Sequence, residues 1–142
     1  MSLNGPQYMT HSYLEYYVSH IKPVINKLDI AIKTRQRLKN KDLAEILGLE
    51  ETEIEEIRQK HNIKHINRTT ILEIIENGSS AICEMFRREL ETGSPFTYTA
   101  EQIAFIYGLD EETVINVCKE LNISEITWQS MPDVFRTIPY EK

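Results

Sequence analysis

Two histidines, His61 and His65, stand four residues apart. On a helix that spacing turns both imidazoles to one face, where they could share a metal ion. Asn62 and the connector after it argue against a helix there, and no third ligand is evident, so no metal ligand is assigned. Cys83 and Cys118 lack the close spacing of a zinc site or a disulfide framework, which fits a reducing compartment. The sequence has no phosphate-cradling glycine loop, no nucleophile motif and no paired-carboxylate signature. The expectation is a protein that is not an enzyme, with no catalytic residue and no cofactor. Tyr13, Tyr16 and Tyr17 could stack on bases, but their spacing suits a helical core or a dimer contact better.

The remaining chemistry is electrostatic. The chain carries a net charge of −6, unevenly spread. Residues 1–41 hold seven Lys/Arg against two Asp/Glu, and residues 42–142 hold nine against twenty. Such asymmetry points to a contact surface at one end, or to two ends that attract each other. Lys33, Arg35, Arg37, Lys39 and Lys41 are the candidate phosphate contacts. Residues two apart on a helix point in different directions, so they form a collar and not a stripe. Cations also favour helix C-termini, so the collar has a purely structural reading as well.

The elements that would position these groups are helical. Apolar residues recur at Leu14, Tyr17, Val18, Ile21, Val24, Ile25, Leu28 and Ala31, a helical stripe containing Pro23. That predicts one kinked helix, or two helices meeting near Lys22. Residues 40–62 read as two short helices with a turn at Gly48, Asn40 serving as N-cap. A helix over 69–76 follows, stopped at Asn77-Gly78. Ser79 or Ser80 caps a bridging helix to about Glu91, on which Arg87 and Arg88 are expected to be solvated. After a loop at 92–97, Thr99 and Gln102 have capping-box spacing, and Asp110 caps the next helix. A last short helix runs from near Pro132 to Thr137, with Trp128 as its anchor.

The pattern repeats at an offset of 60. Ala44 matches Ala104, Gly48 matches Gly108, Leu49 matches Leu109 and Asn62-Ile63 matches Asn122-Ile123. Ile54 with Val114, Ile57 with Val117 and Ile74 with Val134 are conservative pairs. An internal duplication covering about residues 43–78 accounts for this, as does common selection for one small fold.

Ala44, Gly48, Leu49, Ile54 and Ile57 resemble the helix-turn-helix superfamily of bacterial and phage regulators, and Ala104, Gly108, Leu109, Val114 and Val117 resemble it again. A small Ala lets two helices cross closely, and a Gly at the turn takes positive φ without steric cost. The resemblance implies that the second helix of each unit enters the DNA major groove. Here those helices expose Glu50, Glu51, Thr52, Glu55, Glu56 and Gln59 in one unit. In the other they expose Asp110, Glu111, Glu112, Ile115, Asn116 and Lys119. Duplex DNA carries about one negative charge per 1.7 Å, so a carboxylate face is repelled from it. First-turn acids also favour the helix dipole, which explains Glu50, Glu51, Asp110 and Glu111 better than Glu55 and Glu56.

The expected fold is all-α: an N-terminal helical segment (1–38) packed on a first helix-turn-helix unit (39–78), then a bridging helix and second unit (79–142). The leading functional expectation is a regulatory or adaptor protein that contacts another protein, one with a basic surface. The contact face is Glu51, Thr52, Glu55, Glu56 and Gln59 with Glu112, Ile115 and Asn116. A DNA-binding transcription regulator using the Lys33–Lys41 segment or the second unit is the alternative. A structural or virion-associated component assembling through the Tyr-rich helix, for instance as a homodimer, is a further one. No stretch approaches a membrane span and the first ten residues lack a signal-peptide pattern, so a cytoplasmic protein of bacterial or phage origin, without membrane contact, is expected.

Overall fold

A computed structural model describes residues 11–34 and 37–140. In chain order it contains β1 (His11–Ser12), α1 (Tyr13–Tyr16), a π-helical stretch (Tyr17–Ile21), α2 (Lys22–Lys33), α3 (Asn40–Leu47) and α4 (Glu51–Lys60). There follow α5 (Arg68–Asn77), α6 (Ala81–Thr92), α7 (Ala100–Tyr107), α8 (Glu111–Glu120), α9 (Met131–Thr137) and β2 (Pro139–Tyr140). The fold is all-α; β1 and β2 form a minimal antiparallel pair, His11 opposite Tyr140. No helix among the described residues is long and apolar enough to cross a membrane.

The chain gathers into two compact units, Lys22–Glu91 and Met1–Ile21 with Thr92–Lys142. The boundary falls inside the N-terminal helical segment, one residue before Lys22. Pro23 has no N–H to donate and its ring crowds the preceding turn, and the helix widens to π geometry immediately before it. The two halves also carry different side chains. Tyr13 and Tyr17 stack edge-on or tilted against Phe135, with ring centroids 4.9 and 5.0 Å apart, so this half packs on α9. Leu28 and Val24 instead join the aliphatic core of the other unit. The expectation that the whole segment packs on the first unit is therefore corrected for residues 13–21.

In the 22–91 unit the core is Leu28, Leu43, Leu47, Ile54, Ile71 and Ile74 with their neighbours, and Leu43, Leu47, Ile54 and Ile74 are fully buried. Fully burying each such side chain is worth about 1.5–3 kcal/mol. Helices α3 and α4 meet at Gly48, whose φ of +68° is the left-handed region that glycine enters without penalty. Its N–H closes back on the Ala44 carbonyl, as does that of Leu49 at 3.0 Å. In the 92–142 unit, Gly108 has φ +67° and Leu109 N–H donates to the Ala104 carbonyl at 2.9 Å. Asn62 and Asn122 end α4 and α8 at φ +55° and +57°. The limits of α3 and α7, and of α4 and α8, coincide at the offset of 60.

Caps read from sequence are in place at Ser80, whose hydroxyl accepts from Cys83 N–H at 3.1 Å, and at Thr99 with Gln102. Asp110 accepts from Thr113 N–H at 3.0 Å. Gly78 stops α5, but at φ −79° it does so in extended and not left-handed backbone. A Cβ there would lie 2.5 Å from Cys83 Sγ, so the glycine is needed for close approach.

Candidate functional site

Glu51, Thr52, Glu55, Glu56 and Gln59 are all exposed on α4, with Thr52, Glu55, Glu56 and Gln59 at the spacing of one helix face. On α8, Glu112 and Asn116 are exposed and Ile115 is half-buried. The α4 carboxylates are not equally free. Asn40 Nδ2 donates to Glu55 at 2.8 Å and Gln59 Nε2 donates to its other oxygen at 3.1 Å. These bonds, Asn40 first and then Gln59, with the Arg58 charge beside them, hold the Glu55 carboxyl below the usual glutamate range. Glu53 accepts from both the backbone and the hydroxyl of Ser79, at 2.8 and 2.9 Å. Glu51 and Glu56 have no such partner among the described residues.

Asn40 is thus not the N-cap that the sequence predicts. Lys39 occupies the cap position, its N–H donating to the Asp42 carboxylate at 3.0 Å. Asn40 is the first residue of α3, and its amide is spent between elements: the nitrogen on Glu55, the oxygen accepting from Arg58 Nη1 at 2.6 Å. Arg58 also donates to the carbonyls of Ile63 and Lys64, at 3.3 and 2.6 Å. The single arginine of α4 is therefore turned back onto its own unit. At the matching positions α7 and α8 carry Ala100, Ile115 and Cys118, with Cys118 buried. One unit fills this corner with a polar network and the other with apolar atoms.

The basic segment does not lie on one helix. Lys33 closes α2 and is paired with Asp29 at 3.0 Å; Arg37 and Lys39 are on the connection to α3, and Lys41 is in its first turn. Arg37, Lys39 and Lys41 are exposed. Arg35 lies outside the described residues.

Three further cations complete a feature that segment-by-segment reading missed. Arg37, Arg58, Lys64 and Arg68, with His65, line a cleft of about 680 Å³ in the 22–91 unit. The other lining residues are Asn67 and the aliphatic Ala31, Ile32, Leu38, Ile66 and Ile71. Among the described residues no carboxylate lines it. The signal was in the sequence as isolated cations at 58, 64 and 68, but they are brought to Arg37 only by the folding of α2 against α3 and α4 against α5.

The remaining candidates take structural places. His61 ends α4 and lies 3.7 Å from Glu73, while His65 is in the connector, so they share no helix face. Arg87, expected to be solvated, is half-buried and donates to the carbonyls of Ile75 at 2.8 Å and Gly78 at 2.7 Å. That satisfies the free C-terminal carbonyls of α5. Tyr13 is 2% exposed, within a ring cluster with Tyr16, Tyr107, Phe135 and Tyr140. Trp128, expected to anchor the last helix, is instead 52% exposed and meets Tyr98 edge-on at 6.1 Å. Burial pushes both the Cys83 and Cys118 thiols up, the opposite of what a reactive thiolate requires.

Compared with known protein families, with curated proteins and with solved structures, the chain has no match in any of the three.

Proposed function

We propose that this chain is a non-catalytic adaptor of the helix-turn-helix kind, its two units products of an internal duplication, whose second helices contact a protein with a basic surface. The observation that carries this reading is the disposition of charge on α4. Glu51 and Glu56 face solvent, while Arg58, the one arginine of that helix, is bound to Asn40 and to two backbone carbonyls. A helix inserted into the major groove draws on cations around the bases it reads, and this face offers carboxylates. On α8 Glu112 likewise faces solvent, beside the neutral Asn116.

The test is fluorescence anisotropy of mixed-sequence duplex DNA at low and at physiological salt, alongside affinity capture of a protein partner. The adaptor reading expects no duplex binding at low salt. It also expects a captured partner that is lost on Glu51→Lys with Glu56→Lys in a protein that remains folded. Glu55 is left unchanged because it accepts from Asn40 and Gln59, the former joining α4 to α3.

One observation favours a second reading, a DNA-binding regulator. Arg37, Lys39 and Lys41 are exposed and their side chains have no partner among the described residues. That reading expects duplex affinity that falls steeply with salt and is lost on Arg37→Ala with Lys39→Ala.

A further inference from the structure

The two units share the limits of α3 with α7 and of α4 with α8, and they differ in the chain on either side of those helix pairs. In the 92–142 unit the chain before α7 is joined to the chain after α8. Tyr98 N–H donates to the Ile126 carbonyl and Ile126 N–H to the Tyr98 carbonyl, both at 2.8 Å, and Trp128 packs against the Tyr98 ring. The residues sixty earlier are Leu38, Ile66 and Arg68. Leu38 and Ile66 form no such bridge; both are half-buried and line the open cleft, and neither makes a backbone hydrogen bond among the described residues. Their backbone N–H and C=O groups therefore remain open to a partner. An extended segment lying in the cleft supplies one by strand pairing.

The side chains around the gap indicate the segment's chemistry. The side chains of Arg37, Lys64 and Arg68 have no partner among the described residues and stand at the cleft with the internally bound Arg58. At the positions of Arg37, Lys64 and Arg68 the other unit has Thr97, Ser124 and Trp128; it keeps the limits of α3 and α4 in α7 and α8 without these cations, while its last helix begins three residues later than α5 does. Below them the surface is aliphatic, with Ile32, Leu38, Ile66 and Ile71. Among the described residues no Tyr, Phe or Trp lines the cleft to stack a nucleobase, which sets it apart from single-strand nucleic-acid grooves. A volume of about 680 Å³ is in the range of ordinary ligand sites.

We infer that the cleft between Leu38 and Ile66 binds an extended acidic peptide segment of a protein partner, aliphatic and acidic residues alternating along it. Alternate side chains of a strand point to opposite faces, so one set rests on Ile32, Leu38 and Ile71 while the other reaches Arg37, Lys64 and Arg68. The surface is distinct from the acidic face of α4 and opposite to it in charge, so the inference stands or falls separately from the adaptor reading. With both in place, the chain joins a basic partner to an acidic one.

The experiment is fluorescence anisotropy with a panel of labelled peptides of about eight residues alternating Asp/Glu with Val/Leu/Ile. Each is compared with the same peptide carrying Lys for its acids and with one N-methylated on the backbone. Saturable binding that weakens with salt is expected for the acidic peptides, with about ten-fold or greater loss on charge reversal or N-methylation. Arg37→Glu with Arg68→Glu, both exposed positions, is expected to cost about ten-fold or more without shifting Tm. Leu38→Tyr with Arg68→Trp fills the cleft mouth with rings and removes a cation, and is expected to abolish binding; should that pair fail to fold, the arginine reversal decides alone. The inference is overturned if no acidic peptide binds at low salt, if the Lys peptides bind equally, or if the arginine reversal leaves affinity unchanged. Duplex DNA that displaces the peptide through the same arginines would also overturn it and assign the cleft to nucleic acid.

Discussion

Asn40 Nδ2 lies 2.8 Å from Glu55 Oε1, joining the first residue of α3 to the exposed face of α4. The same amide accepts from Arg58, so one asparagine orients an acid and a base of opposite fates, the acid outward and the base inward. Because this contact lowers the acid's pKa, it is also a handle on pH. A carboxyl whose pKa is lower folded than unfolded adds stability above its unfolded value, and that stability is lost as pH falls through the folded one. Glu55 therefore supports the fold at neutral pH, and its contribution begins to fall below about 4.5 and is lost as pH drops through the lower folded pKa. NMR titration of its carboxyl should give a midpoint below the ordinary glutamate value, and Asn40→Ala should move it upward. An unchanged midpoint in Asn40→Ala would show that the hydrogen bond does not set the pKa.

Gly78→Ala places a methyl 2.5 Å from Cys83 Sγ and 3.1 Å from Leu49 Cδ1. Both neighbours are buried, so the expected loss is about 1–3 kcal/mol by urea denaturation. Gly78→Ala with Cys83→Ala should cost less than the sum of the two single changes, a coupling that a double-mutant cycle reads directly. Strict additivity would mean that the clash is relieved elsewhere.

Gly48 and Gly108 hold nearly the same left-handed geometry in the two units. Gly48→Ala and Gly108→Ala should each destabilise by about 1–2 kcal/mol, and Asn at either position should cost less. Ser80 Cβ is 3.9 Å from a Cβ at Gly48, ordinary contact, so the cost there is conformational and not steric. A neutral Gly48→Ala would contradict a turn that depends on positive φ.

Arg87 is the main satisfier of the carbonyls at the end of α5. Arg87→Met keeps most of the side-chain bulk but leaves the Ile75 and Gly78 oxygens without their donor. The expected cost is about 1.5–3 kcal/mol, the range for hydrogen bonds to a charged group. Arg87→Lys should recover part of it. Denaturant midpoints of the three proteins give the comparison, and equal midpoints would place Arg87 in solvent after all.

What was legible before folding was local. The helices, the turns at Gly48 and Gly108, and the caps at Ser80, Thr99 and Asp110 rest on residues one to five apart, where chain geometry alone determines who meets whom. The assignment of Asn40 as a cap went wrong because two neighbouring positions compete for that role. Asn40's partners Glu55 and Arg58 lie 15 and 18 residues away. Arg87 read as a solvated charge for the same reason, its carbonyl partners being 9 and 12 residues distant. Gly78 as a helix stop is legible in the sequence, but what requires a glycine there is the sulfur of Cys83 on the next helix.

The sequence by itself determined an all-α chain and the sixty-residue periodicity of its turns, because spacing and backbone preference act within a single helical turn. Only the tertiary structure decided how the N-terminal segment divides between two cores. Aromatic rings of Tyr13 and Tyr17 are matched by Phe135, and the aliphatic side chains after Pro23 by the core around Leu43. The tertiary structure also decided which charges face solvent. Arg58 and Arg87 are drawn to backbone carbonyls that exist as acceptors only once the helices end beside them, while Arg37, Lys64 and Arg68 are left at the mouth of a cleft. A charge goes where its partners are, and distant partners are set by packing, not by spacing along the chain.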